Sequence, residues 1–310
     1  MTPPGSAIIS PSFSGRLGLV ARDIKLSHSV FALPVALLAT FMAAGAENRL
    51  PRVATLVLII LCMVLGRTVA MAANRAVDAP LDAMNPRTAG RAIPSGRLNR
   101  SFMLGMVICC SAGFVVTTAG FWVLYNNPWP TLLSAPVLTW LVGYSFTKRF
   151  TWLCHLFLGV ALALSPLAAA IAVNPAYMAK GEPYLLALMT ICWVAGFDVI
   201  YALADIKADR TNDVFSMPAN LGVRRALSIA AALHLVSITA LVALLRIGPQ
   251  LSQGFAIGIG FAGALLLIEH TVVWASGTRH IHLTFFTLNG LVSIVLGALG
   301  IVDVVRAVVV

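Results

Sequence analysis

Nine apolar runs follow one another along this chain, each close to the roughly 17–25 residues needed to cross the hydrocarbon core of a bilayer. They fall at about 27–46, 53–76, 101–124, 131–147, 152–173, 184–204, 223–246, 253–275 and 282–303. The runs are continuous, whereas a membrane barrel needs short alternating segments. The fold class expected is therefore all-α: a polytopic membrane protein of about nine transmembrane helices. Only 10% of residues are charged, against about a quarter in a water-soluble domain. With 59% apolar residues and a mean hydropathy of +0.92, no stretch is left for a separate soluble domain, so residues 20–310 read as one transmembrane unit. Residues 1–19 contain Pro3, Pro4, Gly5 and Pro11 and no apolar core, which predicts a disordered tail rather than a signal peptide. Cys62, Cys109, Cys110, Cys154 and Cys192 all lie inside apolar runs, without a CxxC pattern, and read as small packing residues.

The basic residues set the orientation. With nine spans, the N-terminal tail and the loops after spans 2, 4, 6 and 8 share one side. That side carries 15 of the 21 Lys and Arg residues; Arg49, Arg52, Lys180, Arg246 and Arg306 fall on the other, and Arg67 lies within span 2. Loops rich in Lys and Arg stay in the cytoplasm, so the N-terminus is expected there. The net charge of +10 is accounted for by topology and calls for no nucleic acid.

Acidic residues are scarce, 11 in all, yet six of them sit in two short stretches at cytoplasmic ends of spans. The first is "NRAVDAPLDAMNPR", residues 74–87; the second is "GFDVIYALADIKADRTND", residues 196–213. At about 100° per residue, Arg67, Met71, Asn74, Asp78 and Asp82 fall within about 80° of one another on a helix. Extending the same spacing through the second stretch puts Asp198, Asp205 and Asp209 on one face. Ionisable groups in or beside a span face a bundle interior or watery cavity and mark a site. Two carboxylate sets facing one cavity repel unless cations lie between them. Oxygen donors at this density suit Mg²⁺, which joins carboxylates to substrate phosphates. Arg67, Arg87, Arg91, Lys148 and Arg149 border the same side and supply further positive charge for phosphate oxygens. The chemistry expected is Mg²⁺-assisted handling of a phosphorylated lipid.

Asn74-x-x-x-Asp78-x-x-x-Asp82, then "NPRTAGRAIPSG", "YSFTKRFTW" and "DVIYALADIKADR" in that order resemble the UbiA superfamily of intramembrane aromatic prenyltransferases. The likeness runs from about residue 20 to the C-terminus. It implies a U-shaped helical fold in a bacterial cytoplasmic (inner) membrane, with the active site facing the cytoplasm. It implies transfer of a polyprenyl group from polyprenyl diphosphate to an aromatic acid, 4-hydroxybenzoate in the first place, in quinone biosynthesis. A naphthoate acceptor is the alternative, since "IKLSHSVFALP" is similar to a branch associated with both pathways. Carried over residue by residue, the metal set is Asn74, Asp78, Asp82, Asp198, Asp205 and Asp209. Asp78, Asp205, Asp209 and Arg67 are the catalytic set. Arg67, Arg87, Arg91, Lys148, Arg149, Tyr144 and Tyr201 meet diphosphate or acceptor.

The chain departs from the family pattern at Ala79-Pro80, where relatives commonly place a charged residue. Proline removes a helical hydrogen bond and bends the chain, which ranks Asn74 and Asp78 ahead of Asp82. Tyr144, Phe146, Phe197 and Tyr201 are candidates for stabilising an allylic cation through their ring faces. His28 and His155, near the cytoplasmic ends of spans 1 and 5, read as packing or interfacial residues within reach of an acceptor. Ser216 and Asn220 read as loop chemistry. A CDP-alcohol phosphotransferase is excluded by the absence of its D-G-x-x-A-R-x8-G-x3-D-x3-D run. An ion-coupled transporter remains the rival class, although transporter sites lie near the bilayer midplane on broken helices.

Overall fold

A computed structural model describes residues 12–24, 31–281 and 283–309. Its helices are α1 Phe13–Asp23, α2 Leu33–Gly45, α3 Val53–Met84, α4 Arg100–Tyr125, α5 Trp129–Leu132, α6 Ser134–Gly143, α7 Cys154–Val173, α8 Glu182–Ala202, α9 Ile206–Thr211, α10 Met217–Leu221, α11 Val223–Ile247, α12 Gln253–Ser276 and α13 Asn289–Val309. Among the described residues there is no strand. Seven helical segments are long and apolar enough to cross a membrane.

The other two expected spans take different forms. Span 1 contributes α2, 13 residues long, while residues 25–30, including His28, lie outside the described residues. Span 4 divides into α5, α6 and a 3₁₀ turn, Tyr144–Arg149. Pro136 accounts for the break, because it withholds the N–H that would bond the Leu132 carbonyl and its ring clashes there, while Pro130 sits in the first turn of α5, where proline is tolerated. Span 6 ends at Ala202, and a 3₁₀ turn, Leu203–Asp205, separates it from α9.

The length of α3 explains the acidic residues at its end. Its 32 residues span roughly 48 Å at 1.5 Å each, well beyond a core of about 30 Å. About ten residues therefore project past the hydrocarbon, and Asn74–Met84 are those residues if the apolar N-terminal part fills the core.

Helix α8 is the centre of the bundle, packed between α7 and α11, with α2, α12 and α13 completing the main core. Small residues permit the close approach. A Cβ on Gly159 would lie 2.5 Å from the Ile191 carbonyl of α8. Helix α4 packs chiefly on α3 and turns Ile108, Val116 and Val123 outward, as a lipid-facing helix does. The loops collect at two ends. At one, Arg49 and Asn127 donate to the carbonyls of Val173 and Ile171. At the other lie residues 85–99, 144–153 and 203–222.

Residues 13–19, expected within a disordered tail, are helical. Ser12 Oγ accepts from the Gly15 N–H at the start of α1, and Val20 and Ile24 are buried with Ala72, Ala76, Leu98 and Met103. Apolar anchoring after residue 19 thus extends the helix backward into the polar stretch. Residues 1–11 lie outside the described residues.

Candidate diphosphate and metal site

The projecting end of α3 forms one wall of a cavity of about 160 Å³ at the loop-rich end. Asn74, Asp78 and Asp82 line it, one helical turn apart, followed by Asn85. Asp78 is 1% exposed. Its Oδ2 accepts from Asn74 Nδ2 at 2.8 Å and from Lys148 Nζ at 2.6 Å, while Oδ1 is buried without a hydrogen bond. Asn74 is oriented in turn by Arg75, whose Nη1 donates to its Oδ1 at 2.9 Å. Arg91 Nη1 donates to both oxygens of Asp82 at 2.7 Å. Pro80 does not displace Asp82: α3 continues four residues beyond the proline, and Asp82 lines the cavity. So close to the helix end, one missing N–H does little to the turns that aim Asp82.

Asp205 and Asp209 form the facing wall. Arg87 grips Asp205 with two donors, Nε to Oδ1 at 2.8 Å and Nη2 to Oδ2, and its Nη1 donates to Tyr201 Oη at 2.7 Å. The guanidinium also lies 5.0 Å from the centre of the Tyr201 ring. Burial alone lowers the Arg87 pKa, but the hydrogen bonds and charge interactions with Asp205 and Tyr201 together outweigh it and the net direction is upward. Asn85 Nδ2 joins the two walls by donating to Asp205 Oδ1 at 2.9 Å. Asp209 accepts from Ser216 Oγ at 2.7 Å.

Several expected site residues lie elsewhere. Asp198 does not line the cavity; its Oδ2 is 2.6 Å from His155 Nδ1. The face extrapolated for Asp198, Asp205 and Asp209 assumed an unbroken helix, and the 3₁₀ turn at 203–205 changes the rotation per residue. Arg67 sits two turns deeper on α3, beside Tyr144 and Arg75, and neither it nor Tyr144 lines the cavity. Arg149 flanks it: Nη2 donates to the Val77 carbonyl at 2.8 Å and lies 3.8 Å from Asp78 Oδ1. Phe146 is exposed beside Arg149. Tyr201 and Phe197 instead belong to an aromatic cluster leading inward from Arg87. Tyr201 and Phe197 each contact Phe285, at 4.3 and 5.3 Å between ring centres, and Phe31 meets Phe197 at 5.6 Å.

Asn85, Thr88, Arg75 and Asn212 also line the cavity and were not expected there. Asn85 was within reach of sequence reasoning, since it continues the Asn74 stripe three turns on. Arg75 was not, because its placement depends on Asp23, 52 residues away, whose carbonyl and carboxylate both meet its Nε.

The lining includes Asp78, Asp82, Asp205 and Asp209 with Arg75, Arg87, Arg91 and Lys148, four carboxylates against four bases. Among the described residues no three His, Cys, Asp or Glu side chains are grouped closely enough to hold a metal ion. The pairing supplies the reason, since the carboxylates are held by bases or a hydroxyl from different loops. The donor set nevertheless fits a hard cation. It is all oxygen, it faces one cavity, and the buried Asp78 Oδ1 lacks a donor.

A model of the UbiA prenyltransferase family matches residues 32–291. Protoheme IX farnesyltransferase of Korarchaeum cryptofilum (strain OPF8) is 31% identical over 225 residues, 71% of this chain and 71% of that protein. A 4-hydroxybenzoate octaprenyltransferase of Francisella tularensis subsp. novicida (strain U112) is 34% identical over 164 residues, 53% of this chain and 55% of the relative, so the match spans about half of that protein. The apo structure of a UbiA homolog from Aeropyrum pernix K1 shares the fold with a TM-score of 0.80 at 27% identity, covering 90% of this chain and 98% of that one. A UbiA homolog from Archaeoglobus fulgidus bound to DMAPP and Mg²⁺ has a TM-score of 0.70 at 15% identity, covering 92% and 99%, a likeness of fold.

Proposed function

This chain belongs to the UbiA prenyltransferase family, and on that premise we propose that it transfers a polyprenyl group from polyprenyl diphosphate to an aromatic acid, 4-hydroxybenzoate in the first place, at the cytoplasmic face of a bacterial inner membrane. One observation carries the reading: acidic residues from α3 and from the α8–α9 junction share a cavity with Arg87, Arg91 and Lys148. Asn74, Asp78, Asp82, Asp205 and Asp209 are the residues that would hold Mg²⁺, which supplies charge neutralisation for a leaving diphosphate.

The chain's own part follows from the contacts. Arg87, Arg91 and Lys148 stand where phosphate oxygens arrive, and their charge-assisted hydrogen bonds strengthen as the allylic C–O bond breaks and negative charge collects on the diphosphate. The electron-rich ring of the acceptor attacks the allylic carbon, a C–C bond forms, and a ring proton leaves. The rings of Tyr201, Phe285, Phe197 and Phe31 line the way inward and keep water from the cationic carbon, which would otherwise end as a prenyl alcohol. The fifteen basic residues assigned to this side support a cytoplasmic orientation.

A naphthoate is the nearest alternative acceptor. The similarity to a protoheme IX farnesyltransferase covers more of the chain than that to the octaprenyltransferase and supports haem as a third. The deciding assay incubates membranes containing the protein with Mg²⁺, a polyprenyl diphosphate and 4-hydroxybenzoate, a naphthoate or protohaem separately, and weighs the products. A product with 4-hydroxybenzoate that disappears with EDTA is expected. Absence of a Mg²⁺-dependent product from every acceptor would sink the transferase reading.

A further inference from the structure

The segment 214–217 is held at both of its ends and from two sides. Val214 N–H donates to the Asp209 carbonyl at 2.9 Å, and Phe215 N–H donates to the Lys148 carbonyl at 2.8 Å. Ser216 Oγ donates to Asp209 Oδ2 at 2.7 Å. Met217 N–H donates to His155 Nε2 at 3.3 Å. Through these contacts the segment joins Asp209 in one acidic set to the residue whose ammonium group holds Asp78 in the other.

His155 is the buried anchor of this arrangement, 3% exposed on the first turn of α7. A backbone N–H can only donate, so Nε2 must accept and carries no proton. The ring proton is then on Nδ1, donated to Asp198 Oδ2 at 2.6 Å. A carboxylate bound to one imidazole nitrogen fixes the tautomer and the ring plane presented by the other. Asp198 therefore has a task that does not require it to reach the cavity. We infer that Asp198 and His155 form a positioning pair: together they set the register of residues 214–217, and that segment holds Asp209 for the metal ion and Lys148 for the diphosphate. The inference rests on the transferase reading only for what the two side chains are held for; the pinning of the segment is independent of it.

Three single variants, one double variant and two readouts test it. The first readout is hydrogen exchange of residues 212–218 in the purified, ligand-free protein. His155→Leu removes the acceptor and raises exchange there, while His155→Gln, whose amide can accept from Met217 and donate to Asp198, restores protection. The second readout is the Mg²⁺ concentration for half-maximal binding of a prenyl diphosphate, measured well below the melting temperature. Loss of outer partners of metal ligands typically costs about 10–100-fold; His155→Leu is expected to shift the midpoint by at least about tenfold, and His155→Gln by much less. Ser216→Ala, which cuts the same connection at Asp209, is expected to shift it alike, and the double variant with His155→Leu to shift it little further. Unchanged exchange in His155→Leu, no rescue by Gln, or additive shifts from His155→Leu and Ser216→Ala would overturn the positioning role. If the wild-type protein binds no prenyl diphosphate with Mg²⁺, the functional reading fails instead, while the exchange experiment still decides the pinning.

Discussion

Replacing Asp78 by Asn isolates charge from shape. The two side chains have nearly the same volume, so packing around this 1%-exposed position is kept. In the ligand-free protein the change turns the ion pair with Lys148 into a bond from a charged donor to a neutral acceptor, and the bond from Asn74 into a neutral one. Hydrogen bonds to charged groups contribute about 1.5–3 kcal/mol and neutral ones about 0.5–1.5, so the Asn74 bond weakens by on the order of 1 kcal/mol, while the Lys148 bond keeps its charged donor and loses only the opposite charge. Relief from burying a carboxylate opposes it. Lys148 is 28% exposed and can turn its ammonium to water, so no buried cation is stranded. The net effect on folding is expected to stay within about 2 kcal/mol. Catalysis loses more, because the full negative charge facing cation and diphosphate is gone. Removing one principal electrostatic contact costs about 3 kcal/mol, and at 1.36 kcal/mol per decade that is a fall of about a hundredfold in kcat/KM. Steady-state turnover and thermal melting of the purified variant in nanodiscs measure both quantities. Turnover within about threefold of wild type, or a loss explained wholly by unfolded protein, would refute the role given to this carboxylate.

Arg87→Lys keeps the charge but loses the two-pronged grip on Asp205 and the face over Tyr201; KM for prenyl diphosphate should rise by about tenfold, and an unchanged KM would place the diphosphate elsewhere. Arg67→Lys is expected to turn over more slowly than wild type, since an ammonium lacks the planar fork; if Arg67→Leu alters neither melting temperature nor prenyl-diphosphate affinity, the deep arginine has no part in the site. In a background lacking the five cysteines, Gly90→Cys and Thr211→Cys should react with an impermeant thiol reagent only from the cytoplasm, and Lys180→Cys only from the opposite face. Labelling of positions 90 and 211 from opposite faces would contradict their placement around one cavity.

How much of this was legible in the sequence varies with the range over which each feature is decided. The helical fold rests on long apolar runs, a property of each segment alone. The Asn74–Asp78–Asp82 stripe was equally plain, because α3 is unbroken and a constant rotation per residue holds. The same rule failed for Asp198, since nothing in "YALADIKADR" fixes where the helix tightens into a 3₁₀ turn. Pro136 was a visible breaker inside the expected span 131–147, but hydropathy averages over it and returned a single span. The aromatic cluster was half legible: Phe197 and Tyr201 share a helix face, whereas Phe31 and Phe285 reach them from distant parts of the chain. Ion-pair partners separated by 70 to 118 residues, Lys148 with Asp78 and Arg87 with Asp205, are set by tertiary packing.

Those pairs also answer why so many carboxylates are tolerated beside a membrane. Four acids and four bases leave the cavity lining with no net formal charge: Asp78, Asp82 and Asp205 are paired with Lys148, Arg91 and Arg87 respectively, while Asp209 is held by the Ser216 hydroxyl. A dication and a diphosphate arriving together offer each side a new partner: oxygen ligands turn to the cation, and Arg87, Arg91 and Lys148 turn to phosphate. Neither ligand alone completes this exchange, because diphosphate without cation leaves the carboxylates repelling it, and cation without diphosphate leaves the bases stranded. On the proposed function, Mg²⁺ and prenyl diphosphate therefore bind with positive coupling, each tightening the other by the same factor. Calorimetric titration of prenyl diphosphate at zero and saturating Mg²⁺ should show at least about a tenfold gain in affinity, the equivalent of 1.4 kcal/mol. In Asp78→Asn the coupling should shrink. Equal affinities with and without Mg²⁺ in the wild-type protein would mean that the carboxylates and bases do not exchange partners, and that the ion pairs at this end of the bundle are structural.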